Sequence, residues 1–169
     1  MDMAVDARQD APIDTKAFRT AMGCYATGVT VVTTLNSDGH PVGLTVNSFN
    51  SVSLEPALVL WSLSRTSDSL SVFNENNTFA VNVLSADQLA LCQRFASKMD
   101  DRFHGVDWTP GLNGVPVLSG SVASFECKTV QRIPGGDHEI MLGQVHRVAS
   151  SDLPALVYRQ GSFGQLTPT

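Results

Sequence analysis

Val29-Thr30-Val31-Val32-Thr33-Thr34 is β-branched at every position and reads as a strand. Ser37-Asp38-Gly39-His40 follows with the Asp-Gly signal of a hairpin turn, and Val42 to Val46 returns as a second strand. Upstream, Asp14 is placed to cap a helix whose apolar residues Phe18, Ala21, Met22 and Tyr25 recur at helical spacing, with Gly28 as its stop. Downstream, Ser51 to Leu54 and Ala57 to Leu63 read as strands separated by Glu55-Pro56. Thr66 or Ser67 is expected to cap a short helix through Phe73, and Phe79 to Leu84 is another strand. Ser85 and Gln88 have capping-box spacing for a helix through Leu89, Leu91, Cys92 and Phe95. Residues 98–116, rich in Asp, Gly and Pro, read as a loop. Val122, Ser124, Glu126 and Lys128 then alternate with Ala123, Phe125, Cys127 and Thr129. Gly135-Gly136 breaks that strand, Ile140 to Val148 is its return, and Ala155 to Tyr158 is the last strand.

Hairpin-linked strands predict an antiparallel sheet. Many strands in 169 residues predict a closed or nearly closed barrel, which removes exposed edges. The class is therefore mainly β with a few helices. One domain over residues 15–169 follows an acidic tail over residues 1–14, where Asp2, Asp6, Asp10 and Asp14 stand against Arg8 alone.

Composition narrows the partners. The net charge is −5, of which the tail carries −3, so the body has no basic footprint for nucleic acid. The longest clean apolar run, Ala57 to Trp61, is far short of the roughly 20 residues a membrane span needs. Cys24, Cys92 and Cys127 are odd in number and widely spaced, which fits a reducing cytoplasm. Charged residues are only 16% of the chain, so a second copy is expected to cover part of the surface.

No Rossmann, P-loop or nucleophile-elbow motif is present. His138 and His146 would stand about 27 Å apart on one strand, too far to share a metal ion, so no metal site is expected. Four constellations carry chemistry. Gly43 to Ser53 places small polar residues where a strand ends, where backbone amides suit the edge of a planar heterocycle; the plain alternative is a polar turn. Ser62 to Ser69 gathers hydroxyls and Arg65 at an expected helix start, which suits phosphate, against simple capping. Arg94, Lys98 and Arg102 recur every four residues and would line one face if the helix persisted, either as a phosphate clamp or as a solvated face. Gly135-Gly136 aims Asp137 and His138 at a strand start, where the carboxylate fixes the imidazole, against an exposed loop histidine.

Taken in order, Phe18-Arg19, Ala26 to Thr34, Gly43 to Ser53 with Glu55-Pro56, Phe79 to Leu84, Phe95-Ala96-Ser97-Lys98, Asp101-Arg102-Phe103, Gly136-Asp137-His138 and Leu156-Val157-Tyr158 resemble the short-chain flavin reductases. These are the small reductase components of two-component flavin monooxygenases, and the resemblance spans about residues 15–168. It implies an FMN-binding split β-barrel, assembled as a homodimer, with FMN or FAD at the subunit boundary and NADH or NADPH as hydride donor. It implies that Thr45, Val46, Asn47, Ser48 and Ser51 contact the isoalloxazine ring and ribityl chain. Ser62, Ser64, Ser67 and Ser69 fall in the ribityl-phosphate segment, Lys98 and Arg102 supply cations, and Phe95 precedes them in the same motif. His138 falls at the nicotinamide position as the catalytic candidate, with Asp137 beside it and Tyr158 near the same pocket. Reduced flavin would pass to a separate monooxygenase. The alternatives are a barrel of the same kind that only stores flavin or carries electrons, and an oxidase of the pyridoxamine-phosphate type.

Overall fold

The computed structural model describes residues 12–166; Asp2, Asp6, Arg8 and Asp10 of the acidic tail lie outside them. Helix α1 (Thr15–Gly23) is capped by Asp14, whose side chain accepts from the Lys16 amide at 2.9 Å. The helix stops at Gly23, five residues before the expected Gly28. The intervening chain is drawn out by strand pairing instead. Thr27 and Gly28 form β1, opposite Tyr158 and Val157 of β11 (Leu156–Arg159).

The main sheet holds seven antiparallel strands: β2 (Thr30–Leu35), β3 (Pro41–Val46), β4 (Asn50–Leu54), β5 (Ala57–Ser64), β6 (Thr78–Val83), β9 (Ala123–Gly135) and β10 (His138–Ser150). Their order is β3-β2-β6-β9-β10-β5-β4. β3 and β4 follow one another in the chain yet lie at opposite edges of the sheet. The sheet therefore curls. Val32 from β2, Trp61 and Leu63 from β5, Val81 from β6, Cys127 from β9 and Met141 from β10 meet in one core. Asn47-Ser48-Phe49 spans the open seam between the edges, so the barrel is split rather than closed.

A second core lies outside the sheet. Val29, Val31, Leu84, Phe95, Phe103 and Leu156 pack there beneath helix α3 (Leu89–Ala96). β2 thus has both faces covered, which is why its sequence is a continuous β-branched run rather than an alternation. Ser85 and Gln88 form the expected capping box at the turn leading into α3. Gly43 lies against α3: a Cβ there would stand 2.9 Å from the Phe95 ring, so glycine sets how closely the helix approaches β3.

Several details depart from the sequence reading. Helix α2 covers only Leu70–Glu75, and neither Thr66 nor Ser67 caps it; the preceding residues form turns in which Ser67 Oγ accepts from the Ser69 amide. The loop over 98–116 contains β7 (Trp108–Pro110), paired with β8 (Pro116–Leu118). A twelfth strand, β12 (Ser162–Gln165), pairs with β11. β9 and β10 are longer than expected and slip register twice, between Leu142 and Gly143 and between Val145 and Arg147, so strict alternation is lost along them.

Candidate functional site

The sequence constellations come together along one trough. Its first wall is β3, an edge strand that among the described residues pairs only with β2, so its other edge has no strand partner there. The second wall is the segment from Ser62 to Ser69. One stitch ties the two walls: Ser48 Oγ accepts from the Ser62 amide at 2.9 Å and donates to the Ser62 carbonyl at 3.2 Å.

At that end lies a cavity of about 650 Å³ lined by Asn47, Ser48, Phe49 and Asn50, with Tyr158 and α1 opposite. Phe49 is held against Phe125, their ring centroids 5.3 Å apart. The Thr27 hydroxyl lies in the same lining and is buried without a hydrogen-bond partner among the described residues. At the far end of β3, Pro41, Val42 and Gly43 line a second cleft of about 310 Å³ together with Ser69, Lys98 and Arg102. Val42 and Asn47 are five residues apart, roughly 17 Å along a strand. Both walls thus run from one cavity to the other.

Alternation along β5 orients the trough's outer face. Val59, Trp61 and Leu63 point into the barrel, and Ser62 and Ser64 point away from it. His138, at the start of β10, is the direct cross-strand partner of Ser64. Gly136, at φ +72°, permits the turn before it, and the Arg65 amide donates to the Asp137 carbonyl at 3.0 Å. The serine segment and the Gly-Gly-Asp-His turn, separate in sequence, are therefore one surface.

His138 Nδ1 and Asp137 Oδ1 are 2.8 Å apart. The imidazole hydrogen bond, its positive character and, more weakly, Arg19 of α1 hold the Asp137 carboxyl below the usual carboxylate range. An ionised carboxylate only accepts, so Nδ1 carries the hydrogen and a neutral ring presents Nε2 as an acceptor. Both side chains are accessible, at 44% for His138 and 94% for Asp137.

Other expected site residues have different duties. Phe95 is 1% exposed and packs edge-on against Phe103 in the second core, so it does not line the trough. The Thr45 hydroxyl donates to the Cys92 carbonyl at 2.7 Å and fastens α3 to β3. Val46 turns toward the barrel core. The Thr45 hydroxyl, its hydrogen given to Cys92, could still offer an acceptor, whereas Val46 offers only its backbone. Ser51 is exposed on β4 and lines neither cavity. The Ser64 hydroxyl bonds that of Thr66 at 2.9 Å.

The cations do not share a helical face, because α3 ends at Ala96. Arg94 instead donates to the His104 carbonyl. Arg102 donates to the carbonyls of Ser97 at 3.0 Å and Gly43 at 2.9 Å, which leaves the far side of its guanidinium for the cleft. Asp68, Asp100 and Asp101 share that cleft, so an anion there depends on local donors rather than on net charge. Burial, and then the Glu126 carboxylate, pushes the Cys127 thiol up to about 12, so it stays protonated and cannot serve as a nucleophile.

Sequence reading missed Arg19 and Thr27 as site residues. The apolar spacing of Phe18, Ala21 and Met22 marks α1 as amphipathic, but only the structure shows that this stripe is left uncovered beside the cavity.

The family described as flavin reductase like domain matches residues 22–167. FMN reductase (NADH) SmoA of Agrobacterium fabrum is 44% identical over 154 residues, covering 91% of this chain and 87% of that protein. The reductase subunit HsaB of a flavin-dependent monooxygenase from Rhodococcus jostii is 40% identical over 158 residues, covering 92% of this chain and 80% of the other. The solved NADH:FAD oxidoreductase SgcE6 of Streptomyces globisporus, in complex with NAD and FAD fragments, superposes with a TM-score of 0.86 at 36% identity, over 94% of this chain and 98% of that one.

Proposed function

Because the chain belongs to the flavin reductase-like domain family, we propose that it is an NAD(P)H-dependent flavin reductase whose reduced flavin serves a separate monooxygenase component. The observation that carries the site assignment is the trough with a cavity at each end and both walls running between them. A flat heterocycle bearing a polar chain and a terminal phosphate has that form. Asn47, Ser48 and the free edge of β3 meet the ring, and the hydroxyls of Ser62 to Ser69 follow the chain. Ser69, Lys98 and the free side of Arg102 hold the phosphate. The orphaned Thr27 hydroxyl gives the ring cavity one more unsatisfied polar group.

A flavin held there would supply the hydride acceptor for the reduced nicotinamide, and this chain supplies orientation. Asp137 fixes the His138 ring, and its Nε2 accepts from a carboxamide N–H of the donor. No protein nucleophile takes part.

A homodimer belongs to the same reading. α1 buries none of its side chains; Phe18 is 56% exposed, and Met22 and Tyr25, which line the ring cavity, are 53% and 66% exposed. A second copy laid on this face would cover them and complete the cavity wall. No helix among the described residues is long and apolar enough to cross a membrane. The three unpaired cysteines support a cytoplasmic setting.

The test is NADH and NADPH oxidation with FMN, FAD and riboflavin added in turn. Oxidation that scales with added flavin is expected. Tight flavin binding without nicotinamide oxidation would leave only a flavin store or carrier.

A further inference from the structure

The phosphate end of the trough does not stop at the phosphate. The cleft holding Ser69, Lys98 and Arg102 opens into a further cavity of about 460 Å³, and the two share Pro41, Asp100, Asp101 and Phe103. On the assignment above, a flavin phosphate would occupy the first cleft and leave this cavity unfilled. The size lies within the range of small-ligand pockets.

Its lining has a definite chemistry. Trp108, His40 and His104 line this further cavity and do not line the cleft that holds the cations. Trp108 is half-buried, and its ring stands edge-to-face on Phe103 with centroids 6.3 Å apart. Phe103 is itself fixed on Phe95 at 4.9 Å, so the indole rests on the second core and is pre-positioned. Between cations and indole lie two carboxylates. Asp101 is held by the Phe103 amide, which donates to it at 3.1 Å, and Asp100 is exposed. Carboxylates only accept hydrogen bonds; they suit ribose hydroxyls and oppose a further phosphate on that ribose. Cation, carboxylate pair and aromatic ring thus follow in the order of diphosphate, ribose and base.

We infer that this cavity is an adenosine subsite, with the adenine on Trp108 and the ribose beside Asp100 and Asp101, so that the protein takes FAD in preference to FMN. The inference rests on the phosphate end assigned above. Adenosine is also part of the nicotinamide cofactor. Continuity with Ser69, Lys98 and Arg102 assigns the subsite to the flavin.

The test compares dissociation constants for FAD, FMN and riboflavin, with KM for NADH, in the wild-type full chain and in Trp108→Ala. Stacking of a base on an aromatic side chain predicts FAD binding about tenfold or more tighter than FMN in the wild type. Trp108→Ala should lose most of that preference while FMN affinity and KM for NADH hold. Equal FAD and FMN affinity in the wild type, which needs no variant, overturns the inference. So does a Trp108→Ala protein whose KM for NADH rises while its FAD preference persists, because the adenosine would then be the donor's. Should Trp108→Ala not fold, His104→Ala, with its exposed side chain, replaces it and is expected to lower FAD affinity alone. FMN binding no tighter than riboflavin would instead defeat the underlying phosphate assignment, and that outcome is read independently of the FAD-to-FMN ratio.

Discussion

The two ends of the trough are built differently. At the end proposed for the phosphate, Ser69 is 8% exposed, Arg102 is tied to two backbone carbonyls, and Phe103 rests on a packed core. At the other end Asn47 is exposed, Asp137 and His138 stand on a turn, and α1 buries none of its residues. One chain finishes the first half of the site by itself, whereas the second half presents surface that only another molecule can cover. On the proposed assignment, the half that would hold the phosphate is anchored to the core and the half that would meet the nicotinamide is open, which suits a protein that must admit one cofactor while holding another.

The sharpest way to break this contrast is to remove the support of the finished end. Phe95→Ala deletes a ring from the second core, and such a truncation costs about 3–5 kcal/mol of stability. Urea unfolding should show that loss. Phe95→Leu should keep most of the stability together with near-normal FMN affinity; a collapse of affinity in a stable Phe95→Leu protein would mean that the ring touches flavin after all.

Next comes the open end. Paired Phe18→Asp and Met22→Asp substitutions put charge on the uncovered face of α1. If that face is a subunit boundary, the dimer dissociation constant should rise roughly thirtyfold or more, the scale of losing an interface anchor. Sedimentation at micromolar concentration measures it. A fully active wild-type monomer would remove the explanation for the open half.

A smaller effect separates charge from structure at the finished end. Lys98 is exposed and makes no hydrogen bond among the described residues, so Lys98→Ala is a cleaner probe than Arg102→Ala. Charge-assisted contacts of about 1.5–3 kcal/mol predict at least a tenfold loss of FMN affinity with riboflavin unaffected. Equal changes for both flavins would make Lys98 a solvated side chain.

The smallest effects concern the turn. His138→Ala should leave flavin titrations unchanged, raise KM for NADH and slow stopped-flow flavin reduction by about 1–3 kcal/mol of barrier. In the same variant the Asp137 carboxyl should return upward to the usual range, because its bonded imidazole is gone. The sign follows from linkage. A carboxyl depressed in the folded state stabilises above its unfolded pKa, and that contribution disappears as pH falls through the folded value. The two proteins should therefore differ in stability near neutrality and converge in acid.

Legibility in the sequence followed the same divide. β2 was readable because burial on both faces leaves an unbroken β-branched run, and the Ser85–Gln88 box was readable because its chemistry is local. β7, β8 and β12 were not: strands of three and four residues owe their existence to tertiary partners rather than propensity. In the site, residue types were legible but their company was not. Ser64 and His138 lie 74 positions apart and become neighbours only through the β5–β10 register. Nor does any local pattern announce that the Thr45 hydroxyl and two arms of Arg102 are spent on backbone carbonyls.

The unpaired edge of β3 has a consequence for hydrogen exchange. β2 is laddered on both sides, so its amides exchange only through large openings of the barrel. Along β3 every second amide points away from β2 and has no ladder partner among the described residues. Deuterium uptake by adjacent strands should thus differ by orders of magnitude. A ligand lying in the trough would slow the outward set while leaving β2 unchanged, and the protected amides would trace its length along the strand.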